Sequence, residues 1–113
     1  MHELTVANEI IELTWQIARE HDLKKVSAVK VRIGALASID PEALVFSFEI
    51  GVKGTSLDGC QLIIDQVPIR AKCTKCANEF ELEELPWSCP KCHSADVRLI
   101  QGDELEIDHV VGG

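Results

Sequence analysis

The sequence predicts an α+β fold: a small α/β body, with two helices and a sheet of about three strands, and a metal-held module inserted between two strands. Three observations predict it: helical spacing of apolar residues in two segments, apolar–polar alternation in others, and two identically spaced cysteine pairs between them. A chain of 113 residues forms one domain, or one domain with a small module attached. We predict that residues 1–69 plus 103–113 form the α/β domain, and residues 70–102 the inserted one.

The chain opens with a predicted amphipathic helix. Its apolar residues recur with helical spacing and would form one buried stripe. Acidic residues such as Glu3 lie toward its start and basic residues such as Arg19 toward its end, which complements the helix dipole. The predicted stripe consists of Leu4, Ala7, Ile11, Trp15 and Ala18, widened by Ile10, Leu13 and Ile17.

A strand and a second helix follow. Residues 29–33 alternate strictly between apolar and polar, which predicts a strand with one buried face. Asp40 suits the N-cap of a helix and Pro41 its first position. Gly51 and Gly54 are predicted to mark the end of this helix. Its predicted core face consists of Leu44, Val45, Phe48 and Val52.

Two further strands complete the predicted sheet. Residues 60–69 are predicted to form one strand, in which the run from Leu62 to Ile64 is dense enough to be buried on both faces. Residues 105–111 resume the alternation and are predicted to add a third strand to the same sheet. Between these strands core residues become few, while cysteine, lysine and glutamate dominate.

The inserted module carries the strongest chemical signal of the chain. Cys73 and Cys76 are followed, after twelve residues, by Cys89 and Cys92. Each Cys-x-x-Cys turn lets two thiolates converge on one ion, and two such turns complete a tetrahedral set typical of a zinc ribbon. Because protein ligands fill every position, we predict a structural zinc site. An iron–thiolate redox site and unligated or disulfide-bonded cysteines are the alternatives.

Composition and charge exclude several classes of protein. The net charge is −8, and a nucleic-acid-binding protein would need the opposite balance. In the module, three lysines between Lys72 and His93 face four glutamates. No segment has the roughly 18 apolar residues of a membrane span, and the N-terminus lacks the pattern of a signal peptide. We therefore expect a cytoplasmic protein that binds neither nucleic acid nor membrane, and we find no motif of an enzyme.

The N-terminus could form a second metal site. The α-amine of Met1, the amide nitrogen of His2 and an imidazole nitrogen of His2 can close fused chelate rings around one ion. A nitrogen-rich, square-planar set of this kind suits nickel(II) or copper(II), and Glu3 could add its backbone nitrogen or its carboxylate. A histidine at this position is, however, commonly only a solvated terminal residue.

Motifs along the whole chain resemble one known family. The start Met1-His2-Glu3-Leu4, the segments 31–36 and 46–49, the pair Gly59-Cys60 and the two cysteine turns are similar to the HypA/HybF family, the nickel metallochaperones of [NiFe]-hydrogenase maturation. This resemblance implies that Ni(II) binds at His2 with the adjoining backbone nitrogens and is passed on, whereas Zn(II) in the Cys73–Cys92 module is structural. The implied recipients are a maturation GTPase and the hydrogenase large-subunit precursor.

The rival hypothesis is a zinc-ribbon adaptor that binds protein or nucleic acid without carrying nickel. Four other residues are assigned structural roles at this stage. Cys60 is predicted to be a small buried hydrophobic residue, and His109 a partly buried structural histidine on the strand face of Leu105 and Ile107. His93 is predicted to be a solvated turn residue, and His21 to favour the end of the first helix.

Overall fold

The computed structural model describes residues 2–82 and 88–113, which contain two α-helices and two three-stranded sheets. The two helices, the intervening short 3₁₀ turn and the six strands are α1 (Glu3–Glu20), β1 (Val26–Gly34), the turn Ala35–Ala37, α2 (Pro41–Val52), β2 (Gln61–Val67), β3 (Ile69–Cys73), β4 (Glu79–Leu82), β5 (Val97–Gln101) and β6 (Leu105–Gly112).

The first sheet has the strand order β2-β1-β6. Strand β1 pairs in parallel with β2 and antiparallel with β6, and α2 forms the crossover between β1 and β2. The apolar core lies between this sheet and the two helices, and includes Val29 and Val31 of β1 and Phe48 of α2. The predicted body of two helices and a three-stranded sheet is confirmed.

The buried face of α1 differs from the predicted stripe. Leu4, Leu13 and Trp15 are 50%, 46% and 40% exposed. The face of α1 that contacts the core is centred on a neighbouring row of residues, which includes Thr14. The buried hydroxyl of Thr14 has a hydrogen-bond partner, because it donates to the carbonyl of Ile10 at 2.7 Å. The buried residues of α1 are Val6, Ala7, Ile10, Ile11 and Thr14.

Helix α2 begins as predicted and ends at Val52, between the two glycines that were predicted to mark its end. The Asp40 side chain caps it by accepting from the amide of Glu42 at 3.0 Å, and Pro41 is its first residue. Gly51 does not end the helix, which continues to Val52. A Cβ atom at Gly51 would lie 2.6 Å from Cδ1 of Ile11, so this glycine permits close approach of the two helices.

The predicted strand 60–69 is two strands in the structure. Strand β2 ends before Pro68, which has no amide hydrogen to donate, and β3 belongs to the second sheet. Ile63 is 46% exposed, so the prediction that this run is buried on both faces is wrong. The helices cover only one face of β2, and β2 lies at the edge of its sheet.

The second sheet has the order β4-β3-β5, with both pairs antiparallel. The chain leaves it through Gly102, whose φ is 120° and whose carbonyl accepts from the amide of Leu36 at 2.9 Å. A Cβ atom on Gly34 would lie only 2.0 Å from this carbonyl oxygen, so both glycines are needed where the chain returns to the first sheet. The predicted domain boundaries stay predictions.

Strand β6 is the predicted third strand, but it contains a bulge. Lys30 is opposite His109 whereas Val31 is opposite Ile107, so Asp108 is an extra residue. The bulge directs Val110, rather than His109, toward the core beside Ile107. The side chain of His109 is 53% exposed and contacts Asp108, so the prediction of a partly buried histidine is wrong.

Candidate metal sites

The four cysteines of the inserted module converge. All four Sγ atoms lie within 4.8 Å of one another, and the Cys73–Cys92 and Cys76–Cys89 pairs are each separated by 3.5 Å. Tetrahedral ligation with metal–sulfur bonds of about 2.3 Å would place the sulfurs about 3.8 Å apart. The cluster therefore fits one ion of the size of zinc.

The two Cys-x-x-Cys turns share one backbone geometry. In the first, the amide of Cys73 donates to the carbonyl of Asn78 at 2.9 Å, and the amide of Ala77 to that of Cys73 at 3.0 Å. Ala77 and His93 follow the second cysteine of their turns with φ of 62° and 64°. The second turn repeats both bonds at 2.8 Å, from Cys89 to Ser94 and from His93 to Cys89.

Backbone amides point at the sulfur atoms and favour thiolates. The amide hydrogen of Cys76, whose nitrogen is 3.5 Å from the sulfur of Cys73, lowers the pKa of the Cys73 thiol. Burial opposes ionisation of Cys89, but the amides of Cys92 and Lys91 outweigh it and lower the pKa of Cys89 to about 6.

Cys92 shows why this cluster needs a cation. The amide of Ser94 favours its thiolate, yet the neighbouring sulfurs, Cys73 first, outweigh that effect and raise the pKa of Cys92 to about 12. Thiolates held this close repel one another, and a divalent ion removes the repulsion.

The described residues of the module form little apolar core of their own. Cys73 and Cys89 are fully buried, with Ala71 and Phe80 as the other buried members of their cluster, whereas Cys76 and Cys92 lie at the surface. Leu82 and Val97 pack against it partly buried. Glu83, Glu84 and Trp87, which the sequence places between the two turns, lie outside the described residues.

The N-terminal candidate site is also the start of α1. His2 is the N-cap: its exposed imidazole accepts, through Nδ1, from the amide of Leu4 at 3.3 Å, and its carbonyl accepts from Val6 at 3.2 Å. Sequence reasoning missed this capping role, although a polar residue directly before an acidic first turn is its usual signal. Met1 lies outside the described residues.

Glu3 connects the starts of the two helices. Its carboxylate accepts from the backbone amide of Asp40 at 3.3 Å. Its own amide, and then that of Asp40, lower the pKa of this carboxyl. Glu3 therefore has a structural contact that the sequence did not indicate, next to the residue proposed to bind metal.

The remaining candidates have structural surroundings. Cys60 is buried, as predicted, and burial raises the pKa of its thiol. His21 is the C-cap of α1, and His93 is exposed in its turn, as predicted. Neither helix in the described ranges is long and apolar enough to cross a membrane.

Comparison with known proteins gives one consistent result. The family described as "HypA: Hydrogenase/urease nickel incorporation, metallochaperone, hypA" matches residues 1–112. The chain is 40% identical over 109 residues to hydrogenase maturation factor HypA of Streptomyces avermitilis, covering 95% of this chain and 83% of that protein. It is 37% identical over 110 residues to hydrogenase maturation factor HybF of Escherichia coli K12, covering 97% of each.

Two solved structures of HypA proteins resemble this chain over nearly its whole length. The solution structure of the nickel metallochaperone HypA from Helicobacter pylori superposes with a TM-score of 0.70 at 27% identity, covering 99% of this chain and 97% of that one. A second solution structure of a HypA protein gives a TM-score of 0.72 at 27% identity, covering 99% and 96%. The likeness extends over both sheets.

Proposed function

This chain belongs to the HypA family of nickel-incorporation metallochaperones, and from that premise we propose that it carries Ni(II) on its N-terminus and holds Zn(II) in its four-cysteine module. The family consists of maturation factors for hydrogenase rather than catalytic enzymes. The proposal therefore concerns how cargo is bound and released, not a reaction.

The position of the His2 imidazole carries the nickel proposal. The ring is exposed, and Nδ1 faces the backbone amides of the first turn, 3.3 Å from that of Leu4. Nδ1 is the nitrogen that can close fused chelate rings with the His2 amide and the α-amine of Met1. Nickel(II) favours such nitrogen-rich sets. Glu3 adds a backbone nitrogen next to this set, and its carboxylate is already held by Asp40.

Capping and chelation compete for one lone pair. Nδ1 cannot accept from Leu4 and bind nickel at the same time, so nickel binding gives up the N-cap hydrogen bond. Loss of an N-cap costs about 0.5–2 kcal/mol, which weakens nickel affinity by a factor between about two and thirty. Such a penalty suits a carrier, because release of the ion restores the helix cap.

The cysteine module supports a resident ion of another kind. Cys73, Cys76, Cys89 and Cys92 would hold Zn(II), and backbone amides would stabilise their sulfur charge. Zinc supplies structural cross-linking there and no redox chemistry. Iron in the same thiolate set would give visible absorption, so a colourless protein that contains one zinc would exclude the electron-carrier alternative.

The destination of the nickel is also part of the proposal. A maturation GTPase and the hydrogenase large-subunit precursor are the proposed recipients, and the cytoplasm is the proposed compartment. Similarity to hydrogenase maturation factors supports this choice. A net charge of −8 favours protein partners with basic surfaces over nucleic acid.

The deciding experiment is a nickel titration of untagged protein with its native N-terminus, comparing wild type with His2→Ala and His2→Asn. Asparagine caps helices well but lacks the imidazole, so His2→Asn separates metal binding from capping. We expect both variants to lose nickel binding and retain zinc, and only His2→Ala to lose thermal stability. Equal nickel binding by wild type and His2→Asn would refute the N-terminal site and favour a zinc-stabilised adaptor.

A further inference from the structure

Helix α2 is apolar on two sides, although the described part of the chain covers only one of them. Leu44, Phe48 and Val52 form its buried face. On the outer side Phe46 is 64% exposed and Ile50, one turn later, 57% exposed. A helix that is apolar all round is normally buried on all sides, and a single exposed apolar residue would need no explanation. This adjacent pair does.

The strand beside α2 is an open edge. Among the described residues, strand β2 pairs only with β1, and its one other backbone hydrogen bond is at its first residue, where the carbonyl of Gln61 accepts from the thiol of Cys60 at 3.8 Å. Exposed edge strands with apolar side chains are sites at which another chain can add a strand. Ile63, on the uncovered face of β2, is 46% exposed.

A groove of about 380 Å³ runs between the helix and this edge. Its floor is apolar, with Val45 and Phe46 from α2 and Ile64 from β2, and its rim carries Glu42 and Glu49. Within residues 2–82 and 88–113, neither glutamate lies within ion-pair distance of a cation. Two free carboxylates around an apolar floor favour an occupant that is both apolar and basic.

We propose that the α2–β2 groove is a docking site for a partner protein, which adds an extended segment of alternating apolar and Lys or Arg residues to the free edge of β2. The backbone of this segment would bond to β2, its apolar side chains would pack against Phe46 and Ile50, and its cations would face Glu42 and Glu49. A second copy of this chain fits poorly, because it would bring the same carboxylates together in a protein of net charge −8.

The test measures binding of the purified chain to the maturation GTPase and to the hydrogenase large-subunit precursor by calorimetry. The choice of these two binding partners rests on the proposed function, whereas the rest of the docking proposal does not. We expect Phe46→Ser with Ile50→Ser to weaken binding to one of them about tenfold or more. Ile100→Ser removes another exposed apolar side chain, 46% exposed, from β5 and should change nothing. Glu49→Lys should also weaken binding, less so at high salt.

Hydrogen exchange of the same complex tests the mode of docking. The amides of Gln61–Val67 should become protected when the partner binds. The proposal would be overturned by unchanged exchange in β2, by tighter partner binding of Glu49→Lys, or by a wild-type dimer that Phe46→Ser dissociates. So would wild-type binding to neither probe. Nickel titration of each variant, expected to be unchanged, keeps a failed docking site distinguishable from a failed nickel site.

Discussion

Replacing Cys73 by alanine should unfold the inserted module and leave the rest of the chain folded. The cluster would lose one of its four sulfurs, together with the hydrogen bond that the Cys73 sulfur accepts from the amide of Cys76. Structural zinc contributes about 10–16 kcal/mol to the folding of small modules. Phe80, the only large side chain buried in this cluster among the described residues, contributes about 1.5–3 kcal/mol. The core formed by the described residues of the module cannot replace the ion.

The assay is hydrogen exchange or amide NMR of the variant, read separately for each sheet. We expect β3, β4 and β5 to exchange rapidly and β1, β2 and β6 to keep wild-type protection. Removal of metal from wild type with a chelator should reproduce this pattern. Cys60→Ala is the control, because it removes a thiol outside the cluster. A well-ordered module in Cys73→Ala without bound metal would refute the reasoning.

Three further predictions concern single positions. Gly102→Ala should destabilise the fold by about 1–3 kcal/mol in denaturant unfolding, because φ is 120° and the new Cβ would lie 2.8 Å from Cα of Ile69; an unchanged midpoint would contradict this. Asp40→Ala should lower stability by about 1 kcal/mol through loss of the α2 cap, whereas Asp40→Asn, which can still cap, should retain it. Cys60 should react more slowly with thiol reagents than a free cysteine, because burial raises its pKa. The neutral thiol then favours the folded state below the unfolded pKa, and this contribution is lost as the pH rises through the folded pKa; Cys60→Ala should flatten that alkaline decline.

Local signals predicted the elements that depend on local chemistry. Asp40 followed by Pro41 fixes the start of α2, because the cap and the missing amide hydrogen act within one turn. The two cysteine turns likewise contain within a few residues the bonds that bring sulfurs together. The sequence indicates His2 as a metal ligand by its nitrogen atoms, whereas its capping role depends on where α1 begins.

Predictions failed where the outcome depends on a distant segment. The bulge at Asp108 exists only in the pairing of β6 with β1, so alternation along β6 alone placed His109 on the wrong face. Ile63 is exposed because no element in residues 2–82 and 88–113 covers the outer face of β2, and the apolar neighbours of Ile63 in the sequence could not indicate this.

The two proposed metal sites differ in what each loses when its ion departs. Without an ion, the neighbouring sulfurs raise the pKa of Cys92 and oppose the thiolate that ligation needs, and the described residues of the module form almost no apolar core, so departure of zinc would cost the module its fold. Without nickel, His2 returns to capping α1, and nothing else in the described structure has to move. On the proposal made above, release is thus opposed at one site and assisted at the other. A carrier requires that asymmetry, because its shape must persist while its cargo leaves.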